Sequence, residues 1–189
     1  MLNNKKQIMK NFKIILFGLL FVNMGFAQKM LTRTGEVKFE ASMPGIEEVA
    51  GTSTTSSCVF DKSTGDIAAL TLVKSFKFKA PLMEEHFNEN YMESSTYPKS
   101  TFKGKVIGFD SSKLTDKAQT YDLEGDLTIH GITKKIKTKI TLTPSGEKLI
   151  VTSNFSVKPV DYGIKIPSLV KSKIAENASI ALKFNLEKQ

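Results

Sequence analysis

The stretch "YDLEGDLTIHGITKKIKTKITL", residues 121–142, decides how the chain is read. Tyr121, Leu123, Leu127 and Ile129 alternate with Asp122, Glu124 and Asp126, and after "HG" the alternation resumes with Ile132, Ile136, Ile140 and Leu142 against Lys135, Lys137 and Lys139. A period of two puts apolar side chains on one face and charged ones on the other, which is the pattern of a strand buried on one side only. Two such runs joined by a two-residue turn make an antiparallel hairpin.

The same pattern extends in both directions. Val37, Phe39 and Ala41 share a face in "GEVKFEA", opposite Glu36, Lys38 and Glu40, and Ile180, Leu182, Phe184 and Leu186 share one in "SIALKFNL". Further strands are expected at "TSSCVFD", "ALTLVKSFKFK", "STFKGKVIGF" and "KLIVTSNFSV", with turns at "DKSTGD" (61–66), "HG" (130–131) and "TPSGEK" (143–148). Eight consecutive antiparallel strands with little helix indicate a sandwich or a barrel. Long strands, and glycines within them at Gly104, Gly108 and Gly125, favour the barrel, because closing a small barrel demands tight curvature and close backbone approach.

One segment breaks the period. From Pro81, "PLMEEHFNENYMES" places Leu82, Met83, His86, Phe87, Asn90 and Tyr91 on one face at helical spacing and Glu84, Glu85, Asn88 and Glu89 on the other. Proline suits a first helical turn, so an amphipathic helix lying on an apolar surface is expected here. Its histidine and glutamates do not form a zinc-protease motif, since the residue four after His86 is Asn90 and the other histidine, His130, lies in a distant turn. His86 is expected to make a hydrogen bond at the core edge, with the glutamates as a solvated face.

The N-terminus carries Lys5, Lys6, Lys10 and Lys13, then the apolar run "IILFGLLFV", then "NMGFAQ" with Gly25 and Ala27 ahead of Gln28. Charged, apolar and small-residue regions in that order mark a secretory signal peptide, and the apolar run is shorter than the ~20 residues of a membrane-spanning helix. Residues 1–27 are therefore expected to be removed and residues 28–189 to form one domain, periplasmic or secreted, without a transmembrane anchor. Losing those four lysines lowers the formal charge of +8 and leaves a mildly basic domain without tryptophan or a basic aromatic patch, which argues against nucleic-acid binding. The single cysteine, Cys58, cannot form an internal disulfide and reads as a small buried apolar residue. No G-x-S-x-G elbow and no phosphate-binding glycine loop is present, so neither enzyme chemistry nor a cofactor is expected.

"FNENYMESSTYPKSTFKGKV", "YDLEGDLTIHGITKKIKTKITL" and "NFSVKPVDYGIKIP" together resemble the YceI-like family of exported lipocalin-like barrels. The most specific pieces are Phe87–Phe102 with its "YP", Gly125–Lys134 and "DYGI" at 161–164. The chain departs from common members in "ASMPGIEEVAGTSTTSS", which lacks a histidine, and in the helical segment. The resemblance implies an eight-stranded antiparallel barrel holding a polyisoprenoid such as an isoprenoid quinone or prenyl phosphate; the short amphipathic helix from Pro81 is expected to cover its mouth, and the sequence leaves monomer and homodimer both open. The lining expected for such a ligand is Phe39, Leu72, Phe76, Phe78, Phe102, Leu127, Ile129, Phe155, Leu182 and Phe184, with Leu82, Met83, Phe87 and Tyr91 from the helix. Lys74 shares the parity of Leu72 and Phe76, so it either points inward or is re-aimed by a bulge. A ligand-free, filled barrel serving as a structural or stress-related interaction module, with Lys135, Lys137 and Lys139 as a contact face, is the alternative.

Overall fold

The structure is a computed structural model and describes residues 29–189; the expected signal peptide lies outside the described residues. Eight antiparallel strands close into a barrel in sequence order: β1 (Lys29–Ser42), β2 (Ala50–Asp61), β3 (Asp66–Leu72), β4 (Lys99–Ile107), β5 (Gln119–Ile129), β6 (Ile132–Ser145), β7 (Lys148–Val157) and β8 (Ile174–Lys188). Every strand pairs with its sequence neighbour and β8 returns to β1, so no edge is left unpaired.

Alternation accounts for the register. On the outer face of the β5–β6 hairpin, Asp122, Glu124 and Asp126 lie opposite Lys139, Lys137 and Lys135. Lys139 and Lys137 close ion pairs with Asp122 and Glu124 at 2.6 and 2.8 Å. That charged face is thus occupied largely by its own cross-strand pairs. The turn residues His130 and Gly131 both take positive φ, 49° and 74°, the twist that a two-residue hairpin needs.

Three of the expected elements differ. β1 and β2 each shift register where they face one another, around Thr32–Val37 and Ser53–Ser56, so the inward set of β1 passes from Met30 and Thr32 to Val37, Phe39 and Ala41. Such bulges bend a strand and sharpen the curvature of a closed sheet. The expected strand "ALTLVKSFKFK" ends at Leu72, and a 3₁₀ turn, Val73–Ser75, follows. Gly108 sits just beyond β4 at φ 69°, a turn glycine, while Gly104 and Gly125 face one another inside β4 and β5.

The connections alternate between the two ends. Those at 62–65, 108–118 and 146–147 lie at one end, and those at 43–49, 73–98, 130–131 and 158–173 lie at the other. The first end is closed by a packed core in which Phe60, Leu142, Val151 and Leu186 are entirely buried and Phe184 almost so. Cys58 belongs to this floor, and burial pushes its thiol up to about 12. A second core, of Val73, Met92, Leu127, Tyr162 and Ile164, lies at the other end, on the far side of a cavity.

Candidate functional site: an apolar cavity beneath a helix and an arm

Above the floor the barrel encloses a cavity of about 600 Å³. Its wall comes from the inward parity of the strands: Phe39 of β1, Phe102 of β4, Leu127 and Ile129 of β5, Phe155 of β7, and Leu182 and Phe184 of β8 all line it. Glycines keep the wall thin where rings must lie flat. The Phe102 ring covers Gly104 and Gly125, where a Cβ would come within 2.5 and 2.6 Å of it, and the Phe184 ring covers Gly35, where a Cβ would meet it at 2.0 Å. Ser153 is a polar group in this wall, and its hydroxyl donates to the Lys139 carbonyl at 2.6 Å.

The mouth is shaped by the segment after β3. Ser75 donates to the Leu72 carbonyl at 2.6 Å and accepts from the buried Ser53 hydroxyl at 2.7 Å, while Thr52 and Lys77 exchange backbone bonds. These clips hold the 3₁₀ turn against β2 and swing Phe76 and Phe78 over the lumen. Leu72 is the exception among the expected lining residues. Ile67 and Thr71 set the inward parity of β3, so Leu72 faces solvent at 46 % exposure. Lys74 is likewise exposed, because the chain leaves the strand there and needs neither a bulge nor an inward lysine.

Helix α1 spans Pro81–His86 and widens into a π turn, Phe87–Tyr91, closed by the Met92 N–H donating to the Phe87 carbonyl at 2.8 Å. The wider turn shifts the phase of the apolar face: Leu82, Met83, Phe87, Tyr91 and Met92 line the cavity, and the expected Asn90 turns to solvent. Phe87 stacks on Phe39 at 5.0 Å and contacts Phe76 and Phe78 at 5.6 and 5.0 Å. Phe39, Phe76, Phe78 and Phe87 thus form one aromatic cluster in the cavity lining. Glu84 anchors the helix, accepting from Lys77 Nζ at 2.7 Å and from the Phe78 N–H at 3.3 Å. The Lys77 hydrogen bond first, then the Phe78 N–H, hold its carboxyl below the ordinary value of 4.5. His86 is exposed on the rim and makes none of the side-chain hydrogen bonds found among the described residues, which corrects its expected role at the core edge.

An arm between β7 and β8, residues 158–173, completes the mouth. Tyr162, Ile164, Ile166 and Val170 line the cavity from it. Burial, and then the neighbouring Asp161, raise the Tyr162 hydroxyl above its ordinary 10.0. Sequence reasoning missed the arm as lining, although the alternation of Tyr162, Ile164 and Ile166 in "DYGIKIP" carried the signal. His130 ties the arm down. Its Nδ1 lies 3.2 Å from the Tyr162 carbonyl, which can only accept, so Nδ1 carries the proton. The His130 ring packs 4.2 Å from Tyr97, and its Nε2 lies 3.4 Å from the Glu93 carboxylate without hydrogen-bond geometry. Gly131 leaves the room this needs, since a Cβ there would stand 2.7 Å from the Tyr97 ring. Among the described residues no three histidine, cysteine, aspartate or glutamate side chains are grouped to hold a metal ion.

The arrangement can enclose an apolar chain. Its wall is almost wholly hydrocarbon and aromatic, and ionisable groups, Glu47, His86 and Lys173, stand in the mouth connections. No helix among the described residues is long and apolar enough to cross a membrane.

Solved structures share this architecture. A polyisoprenoid binding domain from Saccharophagus degradans superposes with a TM-score of 0.75 at 16 % identity, covering 86 % of this chain and 99 % of that one. Burkholderia cenocepacia BcnA gives 0.67 at 17 % identity, over 80 % and 95 % of the two chains. A Campylobacter jejuni YCEI protein gives 0.59 at 20 % identity, over 78 % and 90 %. No curated protein sequence matches the chain significantly. The model of the YceI-like domain matches residues 29–187, nearly all of the described chain. By its sequence and its closed eight-stranded barrel, this chain belongs to the YceI-like domain family.

Proposed function

We propose that the protein is an exported carrier that holds one long apolar lipid in the barrel lumen, a polyisoprenoid such as an isoprenoid quinone or prenyl phosphate, for transport or storage across a watery compartment. The observation that carries this reading is the apolar cavity of about 600 Å³ between a packed floor and a mouth covered by helix and arm. Burying a hydrocarbon chain there contributes about 25 cal/mol for each Å² removed from water. At the ~30 Å³ that one small group occupies in a liquid, the cavity has room for roughly 20 chain carbons, or about four isoprene units. A longer tail would reach the mouth. The Saccharophagus degradans neighbour, described as a polyisoprenoid binding domain, supports the choice of ligand class, and the signal-like residues 1–27 support export.

The reading is of a binder, not an enzyme. The Cys58 thiol is buried in the floor and held protonated, and His130 is engaged in tying the arm. The test is a calorimetric titration of residues 28–189 with an isoprenoid quinone, a prenyl phosphate and a fatty acid of matched length. Saturable one-to-one binding of the isoprenoids is expected. Ala69→Phe and Thr138→Phe, each enlarging a partly exposed side chain on the cavity wall, are expected to abolish it. If no member of the panel binds, or the filled variants bind as well as the parent, the barrel is a ligand-free module instead.

A further inference from the structure

Of the nine large apolar side chains exposed on the described surface, seven lie at the mouth end: Met43, Ile46, Leu72, Leu82, Ile132, Val160 and Leu169. Only Val59 and Ile107 lie elsewhere, in the halves of β2 and β4 nearer the floor. A soluble barrel has no internal reason to collect exposed hydrocarbon at one end, and such clustering marks a contact surface. The two most exposed, Val160 at 68 % and Leu169 at 89 %, belong to the arm.

Charge narrows the partner. The arm carries Lys158, Lys165, Lys171 and Lys173 against a single acid, Asp161. Lys158 pairs with Glu176 and Asp161 with Lys134, so Lys165, Lys171 and Lys173 have no acidic partner within salt-bridge distance among the described residues. Leu169 therefore projects from between free lysines. The 73–98 segment, across the barrel because β3 and β4 lie opposite β7 and β8 in the closed order, has three lysines against four glutamates. The mouth is thus polarised, with a basic apolar arm facing an acid-rich helix.

We propose that the arm is a membrane-docking element that seats the mouth on a bilayer bearing anionic lipid. Leu169 and Val160 enter the interfacial hydrocarbon, and Lys165 and Lys171 keep their ammonium groups at the headgroup level with their stems along the apolar layer. Docking by this element brings the cavity to the lipid, because the same arm lines it through Ile164, Ile166 and Val170. Cargo exchange at the docked mouth rests on the carrier reading above, whereas docking itself does not.

Co-flotation of the mature chain with vesicles tests it. Vesicles of phosphatidylcholine with phosphatidylglycerol are expected to bind the protein, pure phosphatidylcholine vesicles to bind it far less, and raising salt from 0.05 to 0.5 M to release it. Lys165→Gln and Lys171→Gln should each weaken binding about five-fold, and Leu169→Asp about ten-fold or more. Ile107→Asp, toward the floor, should leave it unchanged. A thermal melt of each variant reports folding, and uptake of an isoprenoid quinone in free solution reports the cavity, so loss of docking, loss of fold and loss of the carrier site are distinguishable. Equal binding to both vesicle types, no binding to either, insensitivity to the arm variants, or a self-associated protein that Leu169→Asp returns to monomer would each overturn the proposal.

Discussion

Truncating Phe60 and Phe155 to alanine, one at a time, compares the floor with the cavity wall using the same chemical change. Phe60 is entirely buried and lies edge-on to Phe109 at 5.1 Å. Removing it leaves a void that packed neighbours fill only in part, at a cost of about 3–5 kcal/mol. A domain of this size loses about 2–4 °C of Tm for each kcal/mol, so a fall of about 6–20 °C is expected. Phe155 is only partly buried and already borders open space. Its loss widens an existing cavity and forfeits about half the transfer free energy of a phenyl side chain, about 1–1.5 kcal/mol, or a few degrees. Urea denaturation and thermal melting of the two variants and the parent provide the comparison. Equal losses at the two positions, with an unchanged denaturant slope, would show Phe155 packed as tightly as Phe60 and would refute an open lumen.

The remaining expectations concern glycine, acid and thiol. Gly131→Ala places a Cβ 2.7 Å from the Tyr97 ring at φ 74°, so it should cost more than Gly146→Ala, which bears the left-handed penalty of about 1–2 kcal/mol alone at φ 60° with nothing within 4 Å; melting both variants measures the difference. Glu84 has its carboxyl held below 4.5, chiefly by the Lys77 hydrogen bond. Its contribution is therefore fully present above pH 4.5 and lost as pH falls through the lowered value, and Glu84→Gln should flatten the acid limb of the stability profile below pH 4.5 in denaturation experiments. Cys58, its thiol pushed up to about 12 and buried, should resist a thiol reagent at pH 8 in the native protein and react on unfolding; modification of the native chain within minutes would contradict its place in the floor.

Much of this fold is legible in the residues because a one-sided strand writes its burial as alternation. β5 and β8 bury one parity over most of their length and β6 does so from Ile136 onward, where the inward residues are the ones the period indicates; Ile132, at the mouth end of β6, shares that parity but is exposed because the strand there rises past the lining. The reading fails where the backbone changes course without a change of pattern. "TLVKSFKF" continues to alternate through a 3₁₀ turn, and only the Ser53–Ser75 and Thr52–Lys77 contacts, distant in sequence, reveal that the strand has ended. Leu72 faces out because Ile67 and Thr71 set the parity of β3, and the break that follows is what brings the same-parity Phe76 and Phe78 over the lumen. The π turn after His86 is similarly silent: an ordinary helical period points Asn90 inward, whereas the wider turn delivers Met92. The arm is hard to read because its alternation, Tyr162, Ile164 and Ile166 between Pro159 and Pro167, is too short to stand out beside the strands.

Extracting the purified mature protein with organic solvent after denaturation, and weighing what is released by mass spectrometry, shows whether the lumen carries a lipid. Close to one isoprenoid lipid per chain is expected from protein isolated from its native compartment, and none after either cavity-filling substitution. A clean extract from the parent protein, repeated after incubation with quinones and prenyl phosphates, would contradict the carrier reading.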